Sequence, residues 1–304
     1  MPSKAPAAAI YREVTAAALL GLVINAGLGV VKLLGGVVSG SVALVSDAVN
    51  SLGDVVTSLI IVIALRVAQR PADAEHPYGH TRAEAIAASN VALLIIVSAL
   101  FIGWEAIHRF NVEHVVPPIW ALWIAGANVV IKETLYRYKA RVAHRTGSQA
   151  IMANAWDHRS DALSSLAVLI GLAAVRWGGP SLQWADEGAA LIVVAVIVWS
   201  GVKLFRRSAS ELMDVQAPED VLADVRRVAA SAPGVQGVET LWIRKSGLEY
   251  FADIHIEVAP DLTVAEGHRI GHVVKDRLRE RFPVLRDVLV HLEPHSGATK
   301  DQPA

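Results

Sequence analysis

The chain has 304 residues, 53% hydrophobic and 19% charged, with a net charge of −1; its mean hydropathy is +0.42. That balance leaves no bulk basic surface for nucleic acid, and the apolar surplus makes lipid part of the solvent. There is no cysteine, so disulfides and thiolate ligands are excluded and any metal must be held by oxygen or imidazole.

Residues 1–13 read as a cytoplasmic tail carrying Lys4 and Arg12. A signal peptide would need a short core and a small-residue cleavage site. The run that follows is long enough to span and more spans follow it, so it reads as the first transmembrane helix. A bilayer core of about 30 Å needs about 20 mostly apolar helical residues. Six windows qualify: Val14–Val38, Val42–Ala68, Glu84–Arg109, Pro117–Tyr138, Ser148–Val175 and Ala185–Leu204. Residues 14–208 are thus a six-helix transmembrane domain, and the second and fifth helices carry several polar residues in mid-span. Basic residues cluster after helix two (Arg66, Arg70, Arg82), after helix four (Arg137, Lys139, Arg141, Arg145) and at the end of helix six (Lys203, Arg206, Arg207). The opposite loops are poor in such charge, and Trp120, Trp123, Trp177 and Trp184 lie on that side. The positive-inside rule then places both termini in the cytoplasm, in a multi-pass protein of the inner (plasma) membrane.

After Asp214 the pattern changes. Pro218–Ala232 has the spacing of an amphipathic helix, and Val235–Arg244 and Tyr250–Val258 alternate as strands around a turn at Lys245–Gly247. Thr263 and Glu266 form a capping box ahead of a helix over Val264–Phe282, and Val288–Leu292 is a third strand. The order αββαβ predicts a ferredoxin-like α+β domain over residues 209–295, followed by a tail over 296–304.

Ionisable groups inside a span are costly and mark a pathway or a partner. Helix two holds Asp47, Asn50 and Asp54; helix five holds Asp157, His158 and Asp161. Residues four apart share a helix face, so Asn50 and Asp54 form one pair and Asp157 and Asp161 another. The two helices run in opposite directions, and each pair falls near mid-span. Packed together, they would bring three carboxylates and an amide oxygen to one level, a four-oxygen site for a divalent cation. Protons and metal would compete for its carboxylates. The alternative is that these groups serve only as polar contacts between helices. Asp47 lies two turns outward on nearly the same face, either as an exit-path residue or as a hydrated carboxylate near the interface.

Four stretches, Ser41–Asp54 (SVALVSDAVNSLGD), Pro71–Glu84 (PADAEHPYGHTRAE), Asn154–Ser165 (NAWDHRSDALSS) and Leu212–Pro218 (LMDVQAP), together with the domain from Val235 to Pro294, resemble the cation diffusion facilitator family over almost the whole chain. The resemblance implies a homodimeric, proton-coupled metal exporter that alternates between inward- and outward-facing states. The family's transport site aligns with Asn50, Asp54, Asp157 and Asp161. Zinc-selective members commonly place histidine where this chain has Asp157. Its loss shifts the site toward harder ions, so Mn²⁺ is expected before Zn²⁺ or Fe²⁺, as in the manganese-type branch. His158, three residues before Asp161, either swings in as a nitrogen ligand or contacts another helix. No organic cofactor is implied, and the counter-substrate is the proton.

Between helices two and three, Asp73, His76 and His80 have zinc-like spacing, and the family binds a second metal at matching positions. HPYGH is not a metalloprotease HExxH, because Pro77 stands after the first histidine and the general base is missing. The chain has no nucleophile–base pair or phosphate-binding glycine loop, so it reads as a transporter and not an enzyme. By the same resemblance, His255, His268, His291 and Glu293 match a binuclear site at the family's dimer interface. Glu239 stands where some members have another histidine, and His272, one turn from His268, is placed to join. Arg82 and Asp214 match a structural charge pair between helix three and the domain junction. The competing reading is a membrane-anchored metal sensor that does not transport; it would need only the cytoplasmic histidines.

Overall fold

The computed structural model describes the backbone of residues 7–39, 42–109, 119–178 and 184–295. The side chains of residues 35–50 and 171–190 are among those outside the described set. The chain divides into two compact units, Tyr11–Ser210 and, with the first ten residues, Glu211–Ala304.

The first unit is built from six long helices: α1 (Ala7–Ser39), α2 (Val42–Ala68), α3 (Ala83–Arg109), α4 (Ile119–Thr146), α5 (Gln149–Gly178) and α6 (Trp184–Leu212). The shortest have 27 residues, about 40 Å at 1.5 Å per residue, which exceeds the thickness of a bilayer core. Ala7–Val31 and Ala83–Trp104 are apolar enough to cross by length and composition alone. The outward faces carry large apolar side chains, among them Val23 (67% exposed), Phe101 (65%) and Trp199 (67%). Surfaces of that kind belong against lipid. The inward faces are made of small residues, including Ala85, Ala88, Ala92 and Ala99 on α3 and Ala150 and Ala153 on α5, which let helix backbones approach closely. A Cβ added at Gly201 on α6 would meet Ile96 Cγ1 of α3 at 2.7 Å, so a larger residue there would have to push the Ile96 side chain aside.

Two helices run past the ends expected from hydropathy, α4 to Thr146 and α6 to Leu212. Leaving the apolar layer does not end a helix; an unfavourable backbone does. Here the stop is Gly147, at φ 76°, whose N–H donates to Ala143 O at 2.8 Å, a left-handed cap that glycine tolerates. Arg137, Lys139, Arg141 and Arg145 therefore stand on α4 and not in a loop. Only Gly147 and Ser148 separate α4 from α5, so the two pack as an antiparallel pair, with α3 and α2 against α5. Ser148 Oγ caps α5 through the Ile151 N–H at 3.1 Å and donates to Glu84 Oε1 of α3 at 2.5 Å.

The second unit contains α7 (Glu219–Ala230), β1 (Gly237–Ser246), β2 (Glu249–Val258), α8 (Val264–Arg281) and β3 (Leu285–Pro294). The sheet order is β1-β2-β3, with β1/β2 antiparallel and β2/β3 parallel. The hairpin turns at Gly247, at φ 62°, the first loop position, where a two-residue turn needs glycine. Val221, Val225 and Ala229 of α7 and Val274 and Leu278 of α8 join Leu241, Ile243, Ile254, Ile256 and Val288 in one core. Successive strand residues point to opposite faces, so His255, beside the buried Ile254 and Ile256, turns away from that core. The capping box forms as expected: Thr263 Oγ1 accepts from the Glu266 N–H at 3.3 Å, and Glu266 Oε2 accepts from the Thr263 N–H at 2.9 Å.

Candidate metal centre

In the helical unit, α2, α4 and α5 bring their polar residues together. Asp54 (8% exposed), Asp157 and Asp161 line one cavity of about 380 Å³ with Thr57, Asn128 and Lys132. Thr57 Oγ1 donates to Asp157 Oδ2 at 2.7 Å, tying α2 to α5, and to the backbone O of Asp54 at 3.0 Å. Lys132 of α4 places Nζ 2.5 Å from Asp54 Oδ2 and 2.8 Å from Asp161 Oδ2. Asp47 and Asn50 lie on α2, but their side chains are outside the described residues, as is that of Asp186 at the start of α6.

His158 is fully buried and does not line the cavity. Its Nε2 is 2.9 Å from Lys139 Nζ, and the same amino group donates to Asn154 Oδ1. The two nitrogens share a hydrogen bond, so Nε2 is occupied within the helix packing. Gly21 of α1 makes room for this lysine, since a Cβ there would lie 2.5 Å from Lys139 Cε. Hydropathy reading missed Lys132 and Lys139. Both are buried lysines on one face of α4, seven residues apart.

The loop between α2 and α3 gathers Asp73, His76 and His80, whose ligand atoms lie within 4.8 Å of one another. Asp73 Oδ1 accepts from the N–H of His76 at 2.7 Å and of Glu75 at 3.1 Å, the geometry of an Asx turn. The His76 backbone N–H holds the Asp73 carboxyl below its ordinary pKa, so it is ionised and ready to bind a cation. His80 Nε2 is 3.3 Å from Asp73 Oδ2, while its Nδ1 is 3.2 Å from Pro71 O, the kind of second contact that orients a ligating imidazole. Pro77 and Gly79, the latter at φ 84°, keep this segment non-helical.

On the sheet, His255 of β2 is in register with His291 of β3, and Glu293 shares the outer face two residues on. Glu293 Oε1 is 3.0 Å from His291 Nε2 and 3.6 Å from His255 Nδ1. His268 is not in that group; it packs edge-on against His272 on α8, with 4.5 Å between ring centroids. Glu239 is exposed at the β1 bulge, outside the group. Asp214 lies 3.9 Å from Arg244, and Arg82 is exposed just before α3.

Six membrane-length helices, five of which line a cavity holding three carboxylates, followed by a small α+β domain, define a multi-pass membrane protein. The chain belongs to the cation efflux family: residues 18–213 match the cation efflux transmembrane domain, and residues 217–295 match the cytoplasmic domain of cation efflux proteins. The family and fold class expected from the motifs are the ones found. Metal tolerance protein C1 of Arabidopsis thaliana is 34% identical over 305 residues, covering 93% of this chain and 64% of the plant protein. The chain therefore spans just under two thirds of that relative. The manganese efflux system protein MneP of Bacillus subtilis is 30% identical over 282 residues, 91% of this chain and 95% of that protein. Among solved structures, MamM-CTD is 30% identical, covering 25% of this chain and 98% of its own, with a TM-score of 0.25.

Proposed function

We propose that the chain is a homodimeric exporter that moves divalent metal out of the cytoplasm in exchange for protons. It alternates between inward- and outward-facing states in the inner membrane, with both termini cytoplasmic. The observation that carries this reading is the convergence of Asp54, Asp157 and Asp161, from two helices, on one cavity inside a membrane-length bundle. Asn50, one turn before Asp54, completes the ligand set. A dication and protons compete for the same carboxylate oxygens, and that competition is the chemistry of exchange.

The metal is Mn²⁺ before Zn²⁺ or Fe²⁺. The cavity offers oxygen donors, which suit harder ions, and His158, the imidazole nearest in sequence, has its Nε2 engaged by Lys139. Similarity to a manganese efflux protein supports the same choice. Asp47 belongs to the exit path. Asp73, His76 and His80 hold a second metal, and His255, His291 and Glu293, with His268 and Glu239 nearby in the domain, bind cytoplasmic metal where residues 209–295 dimerise. Arg82 and Asp214 are the charge pair that positions that domain.

Proteoliposomes reporting internal pH test the exchange. Mn²⁺ added on one side drives protons across for the wild type, and Asp54→Ala or Asp161→Ala reduces that flux by about a hundredfold or more, as expected when a buried charged ligand is lost. Exchange that survives both substitutions contradicts the site. A chain that binds metal but moves none is the sensor.

A further inference from the structure

The exchange described above makes no use of the cation already inside the cluster. Lys132 is 2% exposed, and its ammonium reaches from α4 to one carboxylate on α2 and one on α5, Asp54 at 2.5 Å and Asp161 at 2.8 Å. Hydrogen bonds between ionised partners are the strong ones, and a dication bridging the two helices would need the same oxygens. One turn earlier on α4 stands Asn128, 8% exposed, whose Nδ2 donates to Ser165 Oγ at 3.2 Å. Its Oδ1 is buried and has no hydrogen-bond partner among the described residues. A buried acceptor left open is costly, and this one lines the same cavity as Lys132, with Ser160, Ser164 and Ser165 beside it.

We propose that Lys132 is a tethered competitor of the transported cation: its ammonium bridges Asp54 and Asp161 until metal displaces it, and Asn128 Oδ1 receives it. The inference rests on the reading of Asp54 and Asp161 as metal ligands. It also accounts for charge. With all three carboxylates ionised, Asp54, Asp157 and Asp161 sum to −3, and Lys132 at +1 offsets part of that charge, −3 + 1 = −2, before a divalent ion arrives. Where water is scarce an unbalanced charge is expensive, so a monovalent ion is a poor substitute. The lysine also shortens the metal's stay, because a ligand waiting on a tether re-forms its ion pairs as the metal leaves.

The test is the half-saturating Mn²⁺ concentration for uptake by the full-length chain in proteoliposomes. Removing the competitor with Lys132→Gln lowers it about tenfold or more, the scale of one charge-assisted hydrogen bond, and also lowers the maximal rate. Lys132→Arg keeps the charge and stays near wild type. Removing the receiving carbonyl with Asn128→Ala has the opposite sign and raises half-saturation, and the Lys132→Gln/Asn128→Ala double variant behaves as Lys132→Gln alone. A merely structural lysine would not tighten metal binding when truncated. Unchanged or raised half-saturation in Lys132→Gln overturns the proposal, as does unchanged or lowered half-saturation in Asn128→Ala, which stands even if the lysine variant fails to fold. Asp54→Asn and Asp161→Asn separate the two levels. If they transport Mn²⁺ as wild type does, the ligand reading has failed. If they stop transport while Lys132→Gln changes nothing, only the competitor has.

Discussion

The membrane cluster and the two aqueous clusters hold the same kinds of acid but differ in what accompanies them. Between the helices, Asp54 and Asp161 meet an ammonium at 2.5 and 2.8 Å and the donor atoms are oxygens. In the loop and on the sheet, a carboxylate meets two imidazoles, at 3.3 Å for Asp73 with His76 and His80, and 3.0 and 3.6 Å for Glu293 with His291 and His255. The aqueous groups are partly or well exposed, so water reaches them. The membrane group has to carry its own counter-charge and its own geometry. Imidazole nitrogens, which suit borderline ions such as Zn²⁺, thus stand in the aqueous clusters, and oxygens, which suit harder ions, in the membrane one.

That contrast is breakable by substitution. Removing both rings, His255→Ala with His291→Ala, should lower Zn²⁺ affinity at the sheet cluster by more than about a hundredfold, since loss of outer partners alone costs about 10- to 100-fold. Titration calorimetry reads the change, and Mn²⁺ uptake through the membrane cluster should continue. Placing nitrogen in the membrane cluster with Asp157→His should shift the ratio of Zn²⁺ to Mn²⁺ uptake toward zinc by about tenfold, measured in inverted vesicles. An unchanged ratio means the donor atoms at that level do not set selectivity. The smallest effect lies far from metal. Thr263→Ala removes the cap of α8 and should cost about 1 kcal/mol in thermal unfolding of the second unit. The Thr263 hydroxyl, followed by its backbone N–H, holds Glu266 below its ordinary carboxylate pKa. That contribution is therefore present above the unfolded carboxylate's pKa and fades as pH falls through the lowered folded value. The cost of Thr263→Ala should shrink over that acidic window.

Much of the architecture was legible from periodicity. The six apolar runs, the alternation of Ile254 and Ile256 around His255, and the Thr263–Glu266 capping box all report local physics: bilayer thickness, strand pleat and orphan N–H groups. Asp54, Asp157 and Asp161, which share one cavity, could be picked out too, because polar residues at four-residue spacing on apolar helices are conspicuous. Lys132 was not. A lysine inside an apolar window resembles one that snorkels to the interface, and only tertiary packing shows that α4 turns it toward α2 and α5. Lys139 was hidden by a boundary: hydropathy ended helix four at Tyr138, whereas the helix runs to Thr146 and buries Lys139 against Asn154 and His158. His158 shows the same limit. Adjacency to Asp157 in sequence says nothing about which neighbour takes its Nε2, and here it is Lys139.

The most direct test of the oxygen-donor membrane site is X-ray absorption at the manganese edge on the full-length chain in nanodiscs with one equivalent of Mn²⁺. The account predicts a first shell of oxygen alone that is lost in Asp54→Ala and Asp161→Ala. A shell containing imidazole nitrogen, unchanged by either substitution, would contradict it.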